Sequence, residues 1–306
     1  MNDDWLNRII HADALQVLPR LEENSVDVVL TDPPYFLDKL DNNWDAQKVS
    51  SKRNQQTVKS LPAGMKFDRE QGKKFYDWYY KVSQEILRVL KPGGFFFSFS
   101  SPRLYHRMAC AMDDAGLELR DMFMWLYTQN QPKAMSVAHF IRRMNADEET
   151  KKKLLQKLSG WKTPQIKSCF EPIAMGQKPT AGTYLQNMVQ FEIGLMNTDI
   201  RIGKNMYPAN VFTVDNINEI IDKTFLLPKP TKAEKAEHND HKTVKPLAVC
   251  EYLLKLSAFS PQAVVLDPFV GSGTTAVAAK RLGIKYIGIE LNEKYVEISK
   301  ARLDEI

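Results

Sequence analysis

The stretch Asp32-Pro33-Pro34-Tyr35 places a carboxylate, two rigid prolines and a flat aromatic ring at the end of an apolar run. That run, residues 26–30, is short and rich in β-branched residues, which predicts a buried strand. The prolines fix two φ angles and remove two backbone donors, so the strand must end there. We expect the carboxylate and the ring at the carboxyl edge of a sheet, where open α/β sheets bind ligands. An ordinary strand-ending turn would have the same residues. This stretch alone therefore does not distinguish a functional site from a turn, and other parts of the chain are needed.

A second stretch, residues 267–275, has the composition of a ligand-binding turn. It contains Gly271 and Gly273, which allow a sharp turn and a close approach to a ligand. Glu290 ends the next predicted strand, at the spacing of an acid that binds ribose hydroxyls. A dinucleotide site, a methyl-donor site and a packing turn without a ligand all remain open. Asp267 disfavours a pyrophosphate, because a carboxylate repels an anion and attracts a cation such as the sulfonium or ammonium of S-adenosylmethionine.

Around these two stretches, the apolar pattern alternates between strand and helix periods. Strands are predicted at residues 8–12, 26–30, 95–100, 117–127, 263–266 and 285–289, and helices at 73–90, 102–115, 247–259, 276–282 and 293–303, with one more starting at 14. Asp13 is placed to cap the helix that starts at Ala14. Lys91-Pro92-Gly93-Gly94 is predicted to end the helix that starts at Lys73. Strands that alternate with helices predict an α/β fold with a mostly parallel sheet.

The middle of the chain interrupts this alternation. Residues 129–240 are irregular and basic, and we predict that they form an inserted domain between residues 1–128 and 241–306. The formal net charge of the chain is +5, and residues 129–242 carry all of it, which suggests a polyanionic partner. Within the insert, residues 170–175 are expected to add a strand to the main sheet. Residues 36–69 are polar and lack a pattern, which is typical of a lid, a nucleic-acid-contacting loop or a disordered surface loop.

Composition excludes several other classes of protein. No apolar run approaches the ~20 residues that span a bilayer, and the first residues lack the apolar stretch of a signal peptide. We therefore expect a cytoplasmic protein without a membrane partner. Cys110, Cys169 and Cys250 lack metal-ligand spacing and are expected to be small core residues. His238 and His241 have no second pair of ligands nearby, so no metal site is predicted.

Taken together, the two stretches resemble the amino-directed DNA methyltransferases. The order, with the catalytic stretch first and the donor turn last, is similar to the β arrangement of that family. Four further segments carry the resemblance: His11-Ala12-Asp13-Ala14-Leu15, Lys91-Pro92-Gly93-Gly94, Phe170-Glu171-Pro172-Ile173 and His241-Lys242-Thr243-Val244-Lys245-Pro246. The resemblance implies a Rossmann-like, S-adenosylmethionine-dependent methyltransferase fold. It also implies that the insert at 129–240 recognises the target.

The resemblance assigns roles to individual residues. Asp32 and the Pro33 carbonyl would accept hydrogen bonds from the target amine, Pro34 would keep the stretch rigid, and Tyr35 would stack on the base. Asp13 and Ala14 would contact the adenine of the donor, and Glu290 would bind its ribose. The other residues assigned to donor binding are Asp32, Lys245, Pro246, Asp267, Phe269, Gly271, Ser272, Gly273 and Thr274.

The implied activity is transfer of a methyl group to an exocyclic amine in double-stranded DNA, with the target base flipped out of the duplex. Asp32 occupies the position at which the cytosine enzymes usually carry Ser, which favours adenine N6. Cytosine N4 is the alternative within the class, and a nicotinamide-dependent oxidoreductase is the alternative outside it. The resemblance further implies a prokaryotic or phage origin, a restriction-modification system with a cognate restriction enzyme, and a homodimer.

Overall fold

The computed structural model describes residues 3–34, 69–126, 134–164, 170–200, 207–212 and 244–306. The strands are β1 (Arg8–His11), β2 (Val26–Thr31), β3 (Leu90–Phe99), β4 (Glu118–Leu126), β5 (Phe170–Gln177), β6 (Val211–Phe212), β7 (Val264–Asp267) and β8 (Lys285–Glu290). They form one eight-stranded sheet in the order β1-β8-β7-β2-β3-β5-β4-β6. Within these ranges only β5 is antiparallel to its neighbours, β3 and β4. The predicted mostly parallel α/β fold is confirmed.

Helices cover both faces of this sheet. They are α1 (Ala14–Val17), α2 (Arg69–Val89), α3 (Tyr105–Asp114), α4 (Val137–Arg143), α5 (Glu148–Lys157), α6 (Tyr184–Phe191), α7 (Leu247–Ser257), α8 (Thr274–Arg281) and α9 (Glu293–Asp304). Successive residues of β3 point to opposite faces. Phe95 and Phe97 belong to the core beneath α7 and α8, and Phe96 belongs to the core beneath α2 and α3. The sheet is therefore the middle layer of three.

The amino-terminal elements follow the sequence pattern. Asp13 caps α1, because its Oδ1 accepts a hydrogen bond from the Leu15 N–H at 2.7 Å. Two aromatic residues of α2 pack inward: Phe75 and Tyr79 are fully buried, and their ring centroids lie 5.3 Å apart. These two rings are therefore core residues and not a surface for stacking bases.

The segment Lys91-Pro92-Gly93-Gly94 differs from its prediction, because it lies inside β3 instead of ending the helix. Helix α2 ends at Val89, and β3 starts at Leu90. The register shifts from Val26 opposite Leu90 to Val28 opposite Phe95, so the extra residues form an irregularity in the strand. Gly93, at φ 78°, keeps its hydrogen bond to the sheet by donating to the Lys178 carbonyl at 3.0 Å. Such an irregularity tolerates a proline that a regular central strand would exclude.

The middle of the chain contributes to the sheet and also forms a separate helical unit. Strand β5 extends the predicted residues 170–175 to Gln177, and β6 pairs with β4. Residues 134–164 form a hairpin of α4 and α5, which we call the basic hairpin. Its two ends are joined by an isolated bridge between Ser136 and Lys162.

The βα alternation resumes after the insert as predicted. Pro246 occupies the N-cap position of α7, α8 follows the Gly-rich turn, and α9 packs beside α8 and β1. Among the residues that the structure describes, no helix is long and apolar enough to cross a membrane.

Candidate active site

Four acidic residues gather at the carboxyl ends of neighbouring parallel strands. They are Asp13 after β1, Asp32 after β2, Asp267 at the end of β7 and Glu290 at the end of β8. The register places His11 opposite Glu290 and Asp267 opposite Gly288. The hydroxyl of Thr31 donates to Oδ1 of Asp267 at 2.6 Å, although the two residues are 236 positions apart. The structure therefore brings the Asp32 stretch and the Gly-rich turn to one edge, as the sequence predicted.

Asp32 is held in place by a buried lysine. The ammonium of Lys245 donates a hydrogen bond to Oδ2 of Asp32, and Nζ lies 3.4 Å from Oε2 of Glu171. The same Nζ lies 5.2 Å from the centre of the Phe99 ring, a cation–π arrangement. Burial acts to lower the pKa of Lys245, but the carboxylates of Asp32 and Glu171 outweigh it and raise this pKa above its ordinary value. The lysine is therefore protonated and fixes the orientation of Asp32.

The prolines that follow Asp32 are both at least half-buried, with Pro33 the more buried of the two. This agrees with a stiff segment at the edge of the sheet. Tyr35 lies outside the described residues, so its stacking role stays a prediction. The predicted loop at residues 36–69 also lies outside them, except for Arg69, which begins α2.

The Gly-rich turn lies between β7 and α8. Gly271 has φ 54° and Gly273 has φ 87°, a region that favours glycine. A Cβ at Gly273 would lie 2.7 Å from the Cβ of Ser299 in α9. Glycine is therefore required at Gly273 for two reasons: its backbone conformation and its close packing against α9.

Glu290 contacts this turn directly. Its Oε2 accepts a hydrogen bond from the Gly271 N–H at 2.9 Å, and its Oε1 accepts one from the Asn292 N–H at 2.8 Å. Burial raises the pKa of Glu290, and these backbone hydrogen bonds oppose the shift. Each carboxylate oxygen can accept two hydrogen bonds, so Glu290 keeps acceptor capacity for ribose hydroxyls. Acids grouped around a glycine turn fit a donor that carries a ribose and a cation.

Asp267 points into the protein. Its Oδ1 accepts hydrogen bonds from Thr31 and from the Phe269 N–H, at 2.6 and 3.0 Å. Burial raises the pKa of Asp267 to about 7, and the Thr31 and Thr275 hydrogen bonds oppose the shift. Its contacts join the turn to β2, and its predicted attraction for a cationic donor remains a prediction.

The remaining residues assigned to the donor surround the same turn. Ser272 and Thr274 are buried within it, and the ring of Phe269 packs 5.3 Å from that of Trp78. On the other side of Glu290, Ala14 is buried behind the capping residue Asp13. Their contacts with a donor remain predictions.

Arg302, in α9, is a residue that the sequence did not single out. Its Nη1 donates to the Ser272 carbonyl at 2.6 Å and lies 3.3 Å from the hydroxyls of Ser272 and Thr274. This buried guanidinium therefore fixes the Gly-rich turn from the side of α9. No local pattern could have found it, because one arginine in an amphipathic helix is usually exposed.

The cysteines only partly follow their prediction. Cys250 is buried, and burial raises the pKa of its thiol to about 12, so it is a poor nucleophile. Cys110 is exposed, which corrects the expectation of a core residue, because it lies on the solvent-facing side of α3. Cys169 lies outside the described residues. Within the described ranges, no group of three or more His, Cys, Asp or Glu side chains could hold a metal ion.

Known structures share this architecture. M1.HpyAVI, solved in complex with S-adenosylmethionine, has a TM-score of 0.54 at 21% identity, covering 97% of this chain and 98% of that chain. The PvuII DNA methyltransferase, titled cytosine-N4-specific, has a TM-score of 0.57 at 18% identity, covering 96% and 85%. These similarities show that the fold is that of the DNA methyltransferases.

Curated proteins are similar along almost the entire chain. The type II methyltransferase M.HindIII of Haemophilus influenzae is 28% identical, over 96% of this chain and 94% of its own length. The DNA adenine methyltransferase YhdJ of Escherichia coli is 27% identical, over 97% of this chain and 82% of its own length. The family model described as DNA methylase, N6_N4_Mtase, matches residues 26–301. The chain therefore belongs to the N6/N4 family of DNA methylases, which confirms the resemblance inferred from its motifs.

Proposed function

We propose that this protein transfers a methyl group from S-adenosylmethionine to the exocyclic N6 amine of adenine in double-stranded DNA. The observation that carries the proposal is the placement of Asp32 beside the Gly-rich turn, at the carboxyl edge of the sheet. A nicotinamide-dependent oxidoreductase would use the turn but would leave Asp32 and its lysine without a role. Membership in the DNA methylase family also speaks against that alternative.

The residues at this edge suit the activation of a weak nucleophile. The lone pair of an adenine N6 amine is delocalised into the ring, so it attacks poorly. Asp32 accepts a hydrogen bond from one amine hydrogen, and the Pro33 carbonyl accepts the other. Both bonds favour a pyramidal nitrogen with its lone pair directed outward. S-adenosylmethionine supplies an electrophilic methyl group on its sulfonium, and no nucleophilic residue of the chain is required.

The donor is assigned to the turn and its surroundings. Glu290 binds the ribose hydroxyls, Asp13 and Ala14 contact the adenine of the donor, and Asp32 faces the methionine end. Lys245 and Pro246 lie beside the donor, together with the turn residues named above. The hydrogen bonds of Glu290 and Asp267 to backbone N–H groups of the turn support this assignment, because they fix its shape before the donor binds.

The preference for adenine rests on the first residue of the catalytic stretch. Asp32 is an acid, where the resemblance leads us to expect Ser in the cytosine enzymes. The relative YhdJ is named a DNA adenine methyltransferase, which supports the same choice. Cytosine N4 remains the competing substrate, because PvuII methyltransferase, titled cytosine-N4-specific, has a similar fold.

The basic hairpin supports DNA as the partner. It carries a net charge of +4, from seven Lys and Arg against three Asp and Glu. Two of the acids are already paired, Glu148 with Lys151 and Glu149 with Lys153, both at 2.8 Å. The third acid, Asp147, caps α5. The other five cations make no ion pair with any described residue, and they are Arg142, Arg143, Lys152, Lys157 and Lys162. We propose that residues 129–240 recognise the target and that these cations contact phosphates.

One incubation tests the proposed function. Unmethylated genomic DNA is incubated with S-adenosylmethionine labelled in its methyl group, and the DNA is digested to nucleosides. We expect label in N6-methyl-2′-deoxyadenosine and none in N4-methyl-2′-deoxycytidine. Label in the cytosine product would overturn the adenine assignment. Absence of label from both, in a preparation that binds the donor, would overturn the enzymatic proposal.

Two partner proposals need separate measurements. Light scattering of the purified protein, alone and with a duplex, tests the homodimer. The restriction-modification system is tested by searching the neighbouring reading frames for an endonuclease that cannot cleave the methylated site. The same search tests the cytoplasmic prokaryotic or phage setting.

A further inference from the structure

Glu171 reaches the active edge of the sheet from an unexpected direction. It is the second residue of β5, and a residue at the start of a parallel strand would lie at the opposite edge. Strand β5 is antiparallel, with Ile173 opposite Phe99 and Glu171 opposite Trp125. Its first residues therefore lie beside the carboxyl end of β3, next to Lys245.

The carboxylate of Glu171 is partly buried, with its side chain 24% exposed, and its two oxygens differ in their surroundings. Oε2 is inaccessible to solvent and accepts no hydrogen bond from any described residue. Its nearest charged partner is Lys245, at 3.4 Å, which is long for a hydrogen bond but suitable for an ion pair. Placing one carboxylate oxygen out of contact with solvent is costly unless its charge is compensated, and a glutamine of the same size would fill the same space. Because glutamate and glutamine differ here mainly in charge, we expect the negative charge of Glu171 to have a role.

The charge of Lys245 creates the need for a second acid. Methyl transfer moves positive charge from the sulfonium of the donor to the target nitrogen, so negative charge on Asp32, beside that nitrogen, stabilises the transition state more than the ground state. Lys245 is paired with Asp32 and would cancel that charge if the two were alone. With Glu171 included, two carboxylates face one ammonium, and these three groups together carry a charge of −1.

We propose that Glu171 is a positioning residue for methyl transfer: it acts as counter-charge to Lys245 and leaves the charge of Asp32 available to the target amine and the donor. The inference rests on the proposed function and applies equally to an adenine or a cytosine amine. Glu171 acts through Lys245 and need not contact either substrate. The lysine thus orients Asp32 without neutralising it.

Kinetics of four proteins test the coupling: the wild type, Glu171→Gln, Lys245→Met and the double variant. We expect Glu171→Gln to lower kcat by about tenfold or more, with the KM for DNA changed less than about twofold. In the Lys245→Met background, the same change should leave kcat unaltered or raise it, because it then removes one of two carboxylate charges that repel each other. Wild-type kcat in Glu171→Gln, or an equal loss in both backgrounds, would overturn the inference.

Two further variants separate charge from structure. Glu171→Asp keeps the charge and should recover most of the lost kcat. Glu118→Gln removes the same charge from an exposed ion pair with Arg120, near the other end of β5, and should behave as the wild type. Thermal unfolding of each variant identifies any that fails to fold, and Glu171→Ser then replaces Glu171→Gln.

Binding distinguishes failure of this inference from failure of the proposed function. By calorimetry without DNA, we expect Glu171→Gln to lose selectivity for cationic S-adenosylmethionine over neutral S-adenosylhomocysteine by roughly fivefold. If the wild type methylates no DNA, the proposed function fails, and this binding ratio still decides the role of Glu171. An unchanged ratio would count against Glu171 whether or not DNA is methylated.

Discussion

The ammonium of Lys245 donates a hydrogen bond to the carboxylate of Asp32 from a position 213 residues further along the chain. Lys245 directly precedes Pro246, at the N-cap position of α7, and Asp32 directly follows β2. The contact therefore joins the part of the chain that carries the catalytic stretch to the part that carries the donor turn. Because both groups are largely buried, removing Lys245 would leave the carboxylates of Asp32 and Glu171 without their shared cation.

Replacement of Asp32 by an amide of the same shape tests its assigned role. We expect Asp32→Asn to lower kcat by about 10²–10³, because the carboxylate no longer accepts a charge-assisted hydrogen bond from the amine. Donor affinity should fall much less. Single-turnover transfer of labelled methyl groups measures the first quantity, and calorimetry measures the second. Asp114→Asn, which alters an exposed hydrogen bond with Tyr76, is the control. Transfer within tenfold of the wild type would contradict the role given to Asp32.

The local part of the site was readable from the sequence. A strand that ends in Asp32 and two prolines, and a turn with Gly271 and Gly273, are each determined by a few consecutive residues. Parallel strands then bring both to one edge by topology alone. The helix boundary at Lys91-Pro92-Gly93-Gly94 was wrong because glycine and proline also occur at strand irregularities.

The supporting contacts could not be predicted in the same way. Lys245, Glu171 and Arg302 each act on residues that are distant in the sequence, and none of these pairings leaves a local pattern. The position of Glu171 also depends on β5 being antiparallel, which strand-helix alternation does not predict. The sequence therefore predicts the groups assigned to the chemistry, and it names Lys245 beside the donor, but it does not predict the contacts that hold Asp32 and the Gly-rich turn.

Substitution of Gly273 should affect stability before it affects donor binding. Gly273→Ala would meet Ser299 at 2.7 Å and also strain a φ of 87°. Gly283→Ala is a matched control, because Gly283 has φ 69° and nothing within 4 Å of an added Cβ. We expect the control to lose about 1–2 kcal/mol of unfolding free energy and Gly273→Ala to lose about 1–3 kcal/mol more.

The close contact of Gly273 predicts a rescue. Ser299→Gly removes the nearer atom, so it should recover part of the additional loss caused by Gly273→Ala in urea unfolding. The Cα of Ser299 would still lie 3.1 Å from the new methyl group, so recovery should be incomplete. Equal losses in Gly273→Ala and Gly283→Ala would show that packing against α9 is unimportant.

Arg302 should influence the donor without contributing to the chemical step. Arg302→Met removes the hydrogen bond to the Ser272 carbonyl, which then lies buried without that donor. We expect the KM for S-adenosylmethionine to rise by roughly tenfold while kcat at saturating donor stays near the wild-type value. Arg302→Lys keeps one charged hydrogen-bond donor, so its KM for S-adenosylmethionine should lie between those of the wild type and of Arg302→Met. A loss of kcat at saturating donor, with KM unchanged, would show that Arg302 does not act through the turn.

The buried carboxyl of Asp267 should make stability depend on pH. Its pKa is about 7 in the folded protein and has an ordinary value of 3.8. Between these values the folded state binds more protons than the unfolded state, so the unfolding free energy falls as pH rises from about 4 to 7. Relative to Asp267→Asn, the wild type should lose at most about 4 kcal/mol over this range. Urea unfolding of both proteins at pH 5 and pH 8 measures the difference, since other groups titrate equally in the two. A difference that is the same at both pH values would contradict the raised pKa.

The basic hairpin should contribute to DNA affinity through charge. Arg142 and Arg143 lie in the last turn of α4 and are both exposed. Replacing both by Gln should weaken binding to all duplexes alike and reduce the slope of log K against log salt by about 2, since each phosphate contact contributes about 0.9. The control replaces Lys255 and Arg281 by Gln, which removes equal charge from the carboxyl-terminal turns of α7 and α8, away from the active edge. Fluorescence anisotropy with a labelled duplex at several salt concentrations gives both slopes. Equal slopes for the two double variants would remove the basic hairpin from the DNA interface while leaving the activity proposed for Asp32 untouched.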